Sequence, residues 1–343
     1  MPELITGLDL GGAHLKAAQA TADGRVVRAI QIPCALWCGL DRLEAALAEA
    51  AVAMEPVGPV GVTMTGELAD LFPDRRAGVA ALLATLAAAW PGRELAIWAG
   101  ARGFVAPEAV AADEVASANW LATATLAARR LGEGVLVDLG STTTDIVLFA
   151  GGRPAAEALS DRDRLAAGEL VYVGLTRTPV MALAREAPFA GRRVPLMNEL
   201  FATSADLFRL LGTLPEDADQ HPAADGGAKT SEASARRLAR MIGADLADGS
   251  MADWRRLAAW LAGNLQRRVE DALALQLSRA LVADSAPVVG AGCGRFLVER
   301  LAMGRPCLDF VGLIDSDAAA ADWAATCAPA VAVAVLLADA RRP

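Results

Sequence analysis

Short apolar runs alternate with glycine- and aspartate-bearing turns along the chain, and the opening sets the pattern. Leu4-Ile5-Thr6-Gly7-Leu8 reads as a buried strand ending at Asp9. A glycine loop at Gly11-Gly12 leads into a second strand through Lys16 to Ala20, a turn at Asp23-Gly24, and a third strand from Val26 to Ile32. The spacing then becomes helical from Asp41 to Met54. It returns to a strand over Val60 to Met64, which ends in Thr65-Gly66-Glu67, and is helical again over Gly78 to Ala89 and Ala116 to Arg130.

The opening then repeats. Val135-Leu136-Val137-Asp138-Leu139-Gly140-Ser141-Thr142-Thr143-Thr144-Asp145 is another buried strand, aspartate, small-residue loop and returning strand, closed by Gly151-Gly152. Self-similarity about 130 residues apart points to two related, facing domains, 1–130 and 131–343. Residues 161–250 are less regular, with Pro179, Pro195, Pro215, Pro222 and the polar stretch Glu216 to Pro222, and read as an insertion or lid. A helix over Ala252 to Leu281, a strand from Pro287 to Val289, a glycine turn over Gly290 to Gly294 and an apolar C-terminal helix complete the chain. The fold class is α/β.

Composition narrows the function. The 343 residues are 54% hydrophobic and 21% charged, ample for two buried cores. Mean hydropathy is +0.35, yet no apolar run approaches the roughly 18 residues of a membrane span. The start of the chain lacks the basic region of a signal peptide. A net charge of −9 with a single Tyr leaves no basic, aromatic-laced face for nucleic acid. An acidic protein that handles phosphate needs local devices: loop amides, a few cations and Mg²⁺. Cys34, Cys38, Cys293, Cys307 and Cys327 are irregularly spaced and odd in number, which fits thiols in a reducing cytoplasm. Cys34 and Cys38 have no second pair for zinc, and His14 and His221 are too few for a histidine-rich metallohydrolase.

The chemistry rests on Asp9-Leu10-Gly11-Gly12 and Asp138-Leu139-Gly140-Ser141-Thr142-Thr143. Each strand delivers a carboxylate at its end, and the small residues after it let backbone N–H groups approach an anion. Asp9 and Asp138 would hold Mg²⁺ while Gly11, Gly12, Gly140, Ser141, Thr142 and Thr143 cradle phosphate oxygens. Without the metal, two aspartates would repel a polyphosphate.

These residues resemble the actin, heat-shock chaperone and sugar-kinase superfamily, whose two ribonuclease-H-like domains enclose a phosphate site. The resemblance implies a phosphate-contacting role for Lys16, seven residues after Asp9, and a metal-associated role for Asp145, seven after Asp138. Val288-Val289-Gly290-Ala291-Gly292 is similar to the adenosine loop, with Gly290 and Gly292 as its glycines. A second adenosine glycine pair is missing, unlike in sugar kinases.

A narrower resemblance spans nearly the whole chain. Val62 to Leu68, Ala118 to Thr123, Val137 to Ile146, Ala167 to Tyr172, Arg177 to Val180 and Asp217 to Pro222 identify the chain as a member of the hydantoinase/oxoprolinase-like group linked to tetrahydromethanopterin C1 transfer in methylotrophic bacteria. That group is similar to the archaeal methanofuran-biosynthesis enzyme that joins an aminomethylfuran to glutamyl-tyramine. Oxoprolinases themselves are much longer chains. The resemblance implies a transferase in which a phenol oxygen displaces pyrophosphate from a furan diphosphate. Glu67 is then the first candidate for the base that takes the phenol's proton and Glu169 the second, and Thr65, Arg164, Arg177 and His221 are substrate-binding candidates. The partners are small molecules, a furan diphosphate and a phenolic amine or amino acid, and an oligomer is left open. ATP is not required by this chemistry, although the same loops would also suit an ATP-dependent kinase or ligase, or a nucleotide-binding assembly module.

Overall fold

The computed structural model of the protein describes residues 4–342. Strands β1 (Leu4–Leu10), β2 (His14–Thr21) and β3 (Val26–Pro33) run antiparallel in succession. Helix α1 (Leu40–Met54), strand β4 (Val60–Met64), helix α2 (Arg75–Ala89) and strands β5 (Leu95–Trp98) and β6 (Phe104–Val105) follow. A short helix α3 (Ala112–Val115) leads to α4 (Asn119–Leu131), which packs against the second sheet. That sheet begins with β7 (Gly134–Leu139), β8 (Thr144–Ala150), β9 (Arg153–Pro154), helix α5 (Asp161–Ala167) and β10 (Leu170–Val171). A separate hairpin, β11 (Glu186–Phe189) and β12 (Arg192–Pro195), precedes helices α6 (Ser204–Leu211), α7 (Ser231–Met241) and α8 (Met251–Leu277). The chain closes with β13 (Val288–Ala291), α9 (Val298–Leu301), β14 (Cys307–Asp309), α10 (Ala318–Ala324) and α11 (Ala328–Arg341).

The first sheet has the order β3-β2-β1-β4-β5-β6 and the second β10-β8-β7-β13-β14. In both, an antiparallel hairpin is extended on its far side by parallel strands. Parallel neighbours require a long crossover, here supplied by helices. The repeat seen in the sequence is therefore a repeated topology, and the expected pair of ribonuclease-H-like units is the observed fold. Three large cores sit between the layers. One packs β1, β2 and β4 against α1 and α2, and another packs β7 and β8 against α6, α7 and α8. Between the two sheets lies a third, built on α4 and the almost wholly buried α11.

The apolar C-terminal helix α11 returns to the first sheet and lies across β1, β2 and β4. Its alanines and the strand glycines explain one another: a β-carbon on Gly7 would overlap the Ala330 carbonyl oxygen, and one on Gly61 would press on that of Val333. Gly7→Ala should therefore destabilise by about 1–3 kcal/mol through overpacking. Gly263, in α8 with open space around it, should gain up to about 1 kcal/mol as Gly263→Ala, because alanine favours a helix. Urea unfolding of the two variants would check both signs.

The segment over 161–250 is not a loose lid. Helices α6 and α7 pack on α8, and the fully buried Arg237 donates from Nε and Nη2 to Asp206 Oδ1 at 2.9 and 2.7 Å and from Nη1 to Asp225 Oδ1 at 3.0 Å. A buried cation needs such partners, and they pin the proline-rich stretch to the core. Periodicity concealed this because the helices are short and their starts carry capping residues such as Thr203 and Thr230.

Candidate active site in the cleft between the two sheets

Asp9 and Lys16 are direct neighbours across the β1–β2 hairpin, and Asp138 and Asp145 are direct neighbours across β7–β8. The seven-residue spacing in each half is thus the register of a hairpin. At the first tip Gly11 N–H donates to the His14 carbonyl at 3.1 Å. A β-carbon on Gly11 would overlap that oxygen, so glycine is required. At the second tip Gly140 N–H donates to the Thr143 carbonyl at 2.9 Å. The carbonyls of Gly140 and Ser141 accept from Leu175, Thr176 and Arg177 N–H groups, which turns them into the protein body. Gly174 permits this contact, since a β-carbon there would overlap Ser141.

Both tips open on one cleft of about 530 Å³, lined among others by Asp9, Gly11, Gly12, Lys16, Asp138, Gly140, Ser141, Thr142, Thr143 and Asp145. The two halves of the proposed phosphate site therefore face each other. Lys16 Nζ lies 3.9 Å from Asp9 Oδ2, and Asn119 Nδ2 donates to the same oxygen at 3.3 Å. Burial raises Asp9 above the usual carboxylate range, with Lys16 and Asn119 opposing. Burial pushes Asp138 up to about 7; Lys16 opposes this, while Asp145 and Asp9 add to it. Lys16 is raised: burial acts to lower it, but Asp9 and Asp138 more than offset that.

A divalent cation fits this charge pattern. Asp9 Oδ1 is buried with no hydrogen-bond partner, Lys16 pairs with Asp9 and is influenced by the Asp138 charge, and Asp145 is already paired with Arg164 at 2.9 Å. Among the described residues no three His, Cys, Asp or Glu side chains form a self-sufficient metal cluster. Asp9 and Asp138 are the carboxylates that would hold Mg²⁺, an ion that binds through one or two carboxylates beside waters and substrate phosphate oxygens.

The remaining candidates are dispersed. Thr65 lines the cleft beside Gly11 and donates its N–H to the Leu10 carbonyl at 3.1 Å. Arg177 lines it too, donates to Thr142 Oγ1 at 3.2 Å and lies over the Trp37 ring. Arg164 reaches the cleft wall but is buried, donating to Asp145 and to the Glu169 carbonyl at 3.1 Å with its guanidinium over Trp120. Glu169 is outside the cleft: it accepts from the N–H groups of Glu157 and Ala158 and pairs with Arg279 at 3.0 Å, a structural role in place of the expected base. His221 is also off the cleft wall, donating Nε2–H to the Ala13 carbonyl at 2.8 Å. Gly290 packs under Val298, and Gly292 lies against Leu139 and Asp138 with φ of 82°. This turn packs on the strand end that carries Asp138, with Gly294 N–H donating to the Leu139 carbonyl at 2.8 Å.

Glu67 sits behind Ser117. The Ser117 hydroxyl lies 2.7 Å from Glu67 Oε1 and 2.9 Å from Asp161 Oδ2, which also accepts from Arg75 at 3.0 Å. Burial raises Glu67, with the Ser117 hydroxyl opposing. Glu67 does not line the cleft and its carboxylate is turned to Ser117, so it is not placed to meet a substrate proton. Ser117, Asn119 and Trp120 line the cleft; Asn119 and Trp120 fall in one of the family-like stretches without a site role expected of them, and a left-handed φ of 51° at Ser117 is visible only in the folded chain.

A family model for hydantoinase/oxoprolinase matches residues 59–340. The chain belongs to the hydantoinase/oxoprolinase family. A Methanocaldococcus jannaschii protein of similar sequence is named (4-{4-[2-(gamma-L-glutamylamino)ethyl]phenoxymethyl}furan-2-yl)methanamine synthase; it is 33% identical over 248 residues, 71% of this chain and 73% of its own. A Methanococcus vannielii protein of the same name is 34% identical over 112 residues, 33% of this chain and 50% of its own. Among solved structures, nucleotide-free acetone carboxylase superposes with a TM-score of 0.57 at 11% identity, covering 96% of this chain and 70% of that one. That likeness concerns the fold of this hydantoinase/oxoprolinase-family protein and not its chemistry.

The buried carboxylates make the family member's stability depend on pH. Asp138 has an ordinary value of 3.8 and is held at about 7 when folded, so between those values the folded state binds more protons than the unfolded one. Stability from this group is then full below its ordinary value and is lost as pH rises toward about 7. Metal-free wild type should lose more thermal stability between pH 5 and 8 than Asp138→Asn does. Melting curves in a chelator would show that difference, and Mg²⁺ with pyrophosphate should shrink it.

Proposed function

We propose that this protein is a transferase of methanofuran-type cofactor biosynthesis, joining a diphosphate-activated aminomethylfuran to a tyramine- or tyrosine-like phenol and releasing pyrophosphate. The observation that carries the reading is the convergence of Asp9 and Asp138, each with its small-residue loop, on one cleft that Lys16 also lines. The name of the archaeal relatives supplies the bond: the product it describes carries a phenoxymethyl group on a furan.

Asp9 and Asp138 are the residues that would hold Mg²⁺, with Asp145 behind them, and when bound the ion neutralises the departing pyrophosphate where charge develops. Lys16 meets a phosphate oxygen from the floor of the cleft. Arg177 presents a further cation beside Thr142 and orients the diphosphate against the second loop. The loop amides after Asp9 and Asp138 fix the phosphate chain, so the furan methylene projects away from them. A furfuryl carbon bears partial positive charge, and the bond to the leaving oxygen can therefore stretch far before the phenol oxygen closes in. Leu165 and Tyr172, both exposed and both in the cleft lining, give apolar surface suited to aromatic rings.

The test is incubation of purified protein with Mg²⁺, the furan diphosphate and glutamyl-tyramine, tyramine or tyrosine. Pyrophosphate release that depends on the phenol, together with an ether product, supports the reading. ADP formation that depends on a small substrate, with no ether, would select an ATP-dependent kinase or ligase instead.

A further inference from the structure

With Glu169 buried in an ion pair and Glu67 off the cleft wall behind Ser117, the proposed reaction lacks the base first expected of it. The cleft supplies another acceptor. His14 begins β2, two residues before Lys16, so both side chains leave the same face of the strand about 7 Å apart along it. Its ring lines the cleft and is 4% exposed, and its Nε2 has no hydrogen-bond partner. Of the cleft's other carboxylates, Asp145 is held by Arg164 and Asp161 by Arg75 and Ser117, while Asp9 and Asp138 are the proposed metal ligands. The imidazole is also held in place. It packs on His221 with ring centroids 4.8 Å apart, His221 packs on Trp37 at 5.4 Å, and the Arg177 guanidinium covers Trp37 at 4.6 Å. The train spans both phosphate loops, since His221 is bonded to Ala13 and Arg177 to Thr142.

We propose that the His14 imidazole takes the acceptor's phenolic proton; this rests on the ether-forming reading above. The phenol oxygen forms the new bond to the furan methylene, and the bond from that carbon to the diphosphate oxygen breaks, its electron pair leaving with pyrophosphate. The proton passes from the phenol to the imidazole and on to the departing pyrophosphate, so none remains on the protein. Burial, followed by the charges of His221, Lys16 and Arg177, lowers His14 well below the ordinary imidazole value. It therefore starts neutral. A weak base is sufficient, because a phenol whose oxygen has begun to bond to an electron-poor carbon is strongly acidic.

The experiment compares wild type, His14→Asn, His14→Gln and Asp161→Asn with glutamyl-tyramine and its ring-fluorinated analogues, whose phenols are increasingly acidic. The His14 variants should lose about 10²- to 10³-fold in kcat with the parent acceptor. They should lose tenfold or less with the most acidic analogue, with KM for the furan diphosphate unchanged. Uniform loss across the series, a loss under about threefold, or the same acidity-dependent signature in Asp161→Asn instead would overturn the assignment. Absence of ether from wild type would remove the reading beneath it, which is a different result. Should the variants fail to fold, wild type remains informative, because ¹⁵N-histidine labelling yields only two imidazoles, His14 and His221. Adding acceptor with Mg²⁺ and pyrophosphate should move the unprotonated ring nitrogen of His14, and no movement would count against the proposal.

Discussion

Asp138→Asn is expected to lower turnover by about 10³-fold or more while the protein folds at least as well as wild type. The two outcomes share one cause. Asp138 is 7% exposed, and burial holds it up at about 7, so a neutral isostere relieves a cost that the metal-free protein bears. The same substitution removes one of two carboxylates available to a divalent cation, leaving Lys16 and the loops to stabilise the leaving pyrophosphate alone. Losing a single well-placed electrostatic contact costs about 10²–10³ in rate, and loss of the ion adds to that. Steady-state kinetics with a melting curve would check both. Asparagine that keeps wild-type turnover would remove Asp138 from the site.

Arg164→Met should give the largest loss of stability, about 3–5 kcal/mol by chemical denaturation. The guanidinium is 1% exposed and ties together α5, β8 and α4: it pairs with Asp145 at 2.9 Å, donates to the Glu169 carbonyl and covers the Trp120 ring at 3.8 Å. Methionine fills the space of the stem but leaves Asp145 as an uncompensated carboxylate. Burial already raises Asp145, with Arg164 opposing, so losing the cation raises it further. The penalty should thus shrink on acidification, and Asp145→Asn should recover part of it in the double variant. Additive losses in that cycle would show that the pair is not coupled.

The strand-aspartate-glycine pattern disclosed the architecture because backbone needs wrote it. Residues seven apart were paired in register, and Gly11 could be nothing larger at its tip. The two glycine-bearing tips and Lys16, which meet in one cleft, were legible for the same reason. Ser117, Asn119, Trp120 and His14 were not read as cleft residues, since packing of α4 against both halves and the face of β2 decide where they point. Glu67 and Glu169 do not line the cleft, which the sequence could not disclose because a glutamate near a loop says nothing of its partners: Ser117 lies fifty positions from Glu67 and Arg279 lies 110 from Glu169. Likewise, the strand-like glycine pair Gly290 and Gly292 resembles a ligand loop, whereas its tight contacts are with Val298 and with Leu139 and Asp138.

Calorimetric titration of Mg²⁺ with and without pyrophosphate addresses the shared site most directly. Each should bind appreciably only when the other is present, and Asp9→Asn or Asp138→Asn should abolish the synergy. Pyrophosphate that binds equally well without the metal, or synergy that survives in both variants, would contradict a site formed by these two carboxylates.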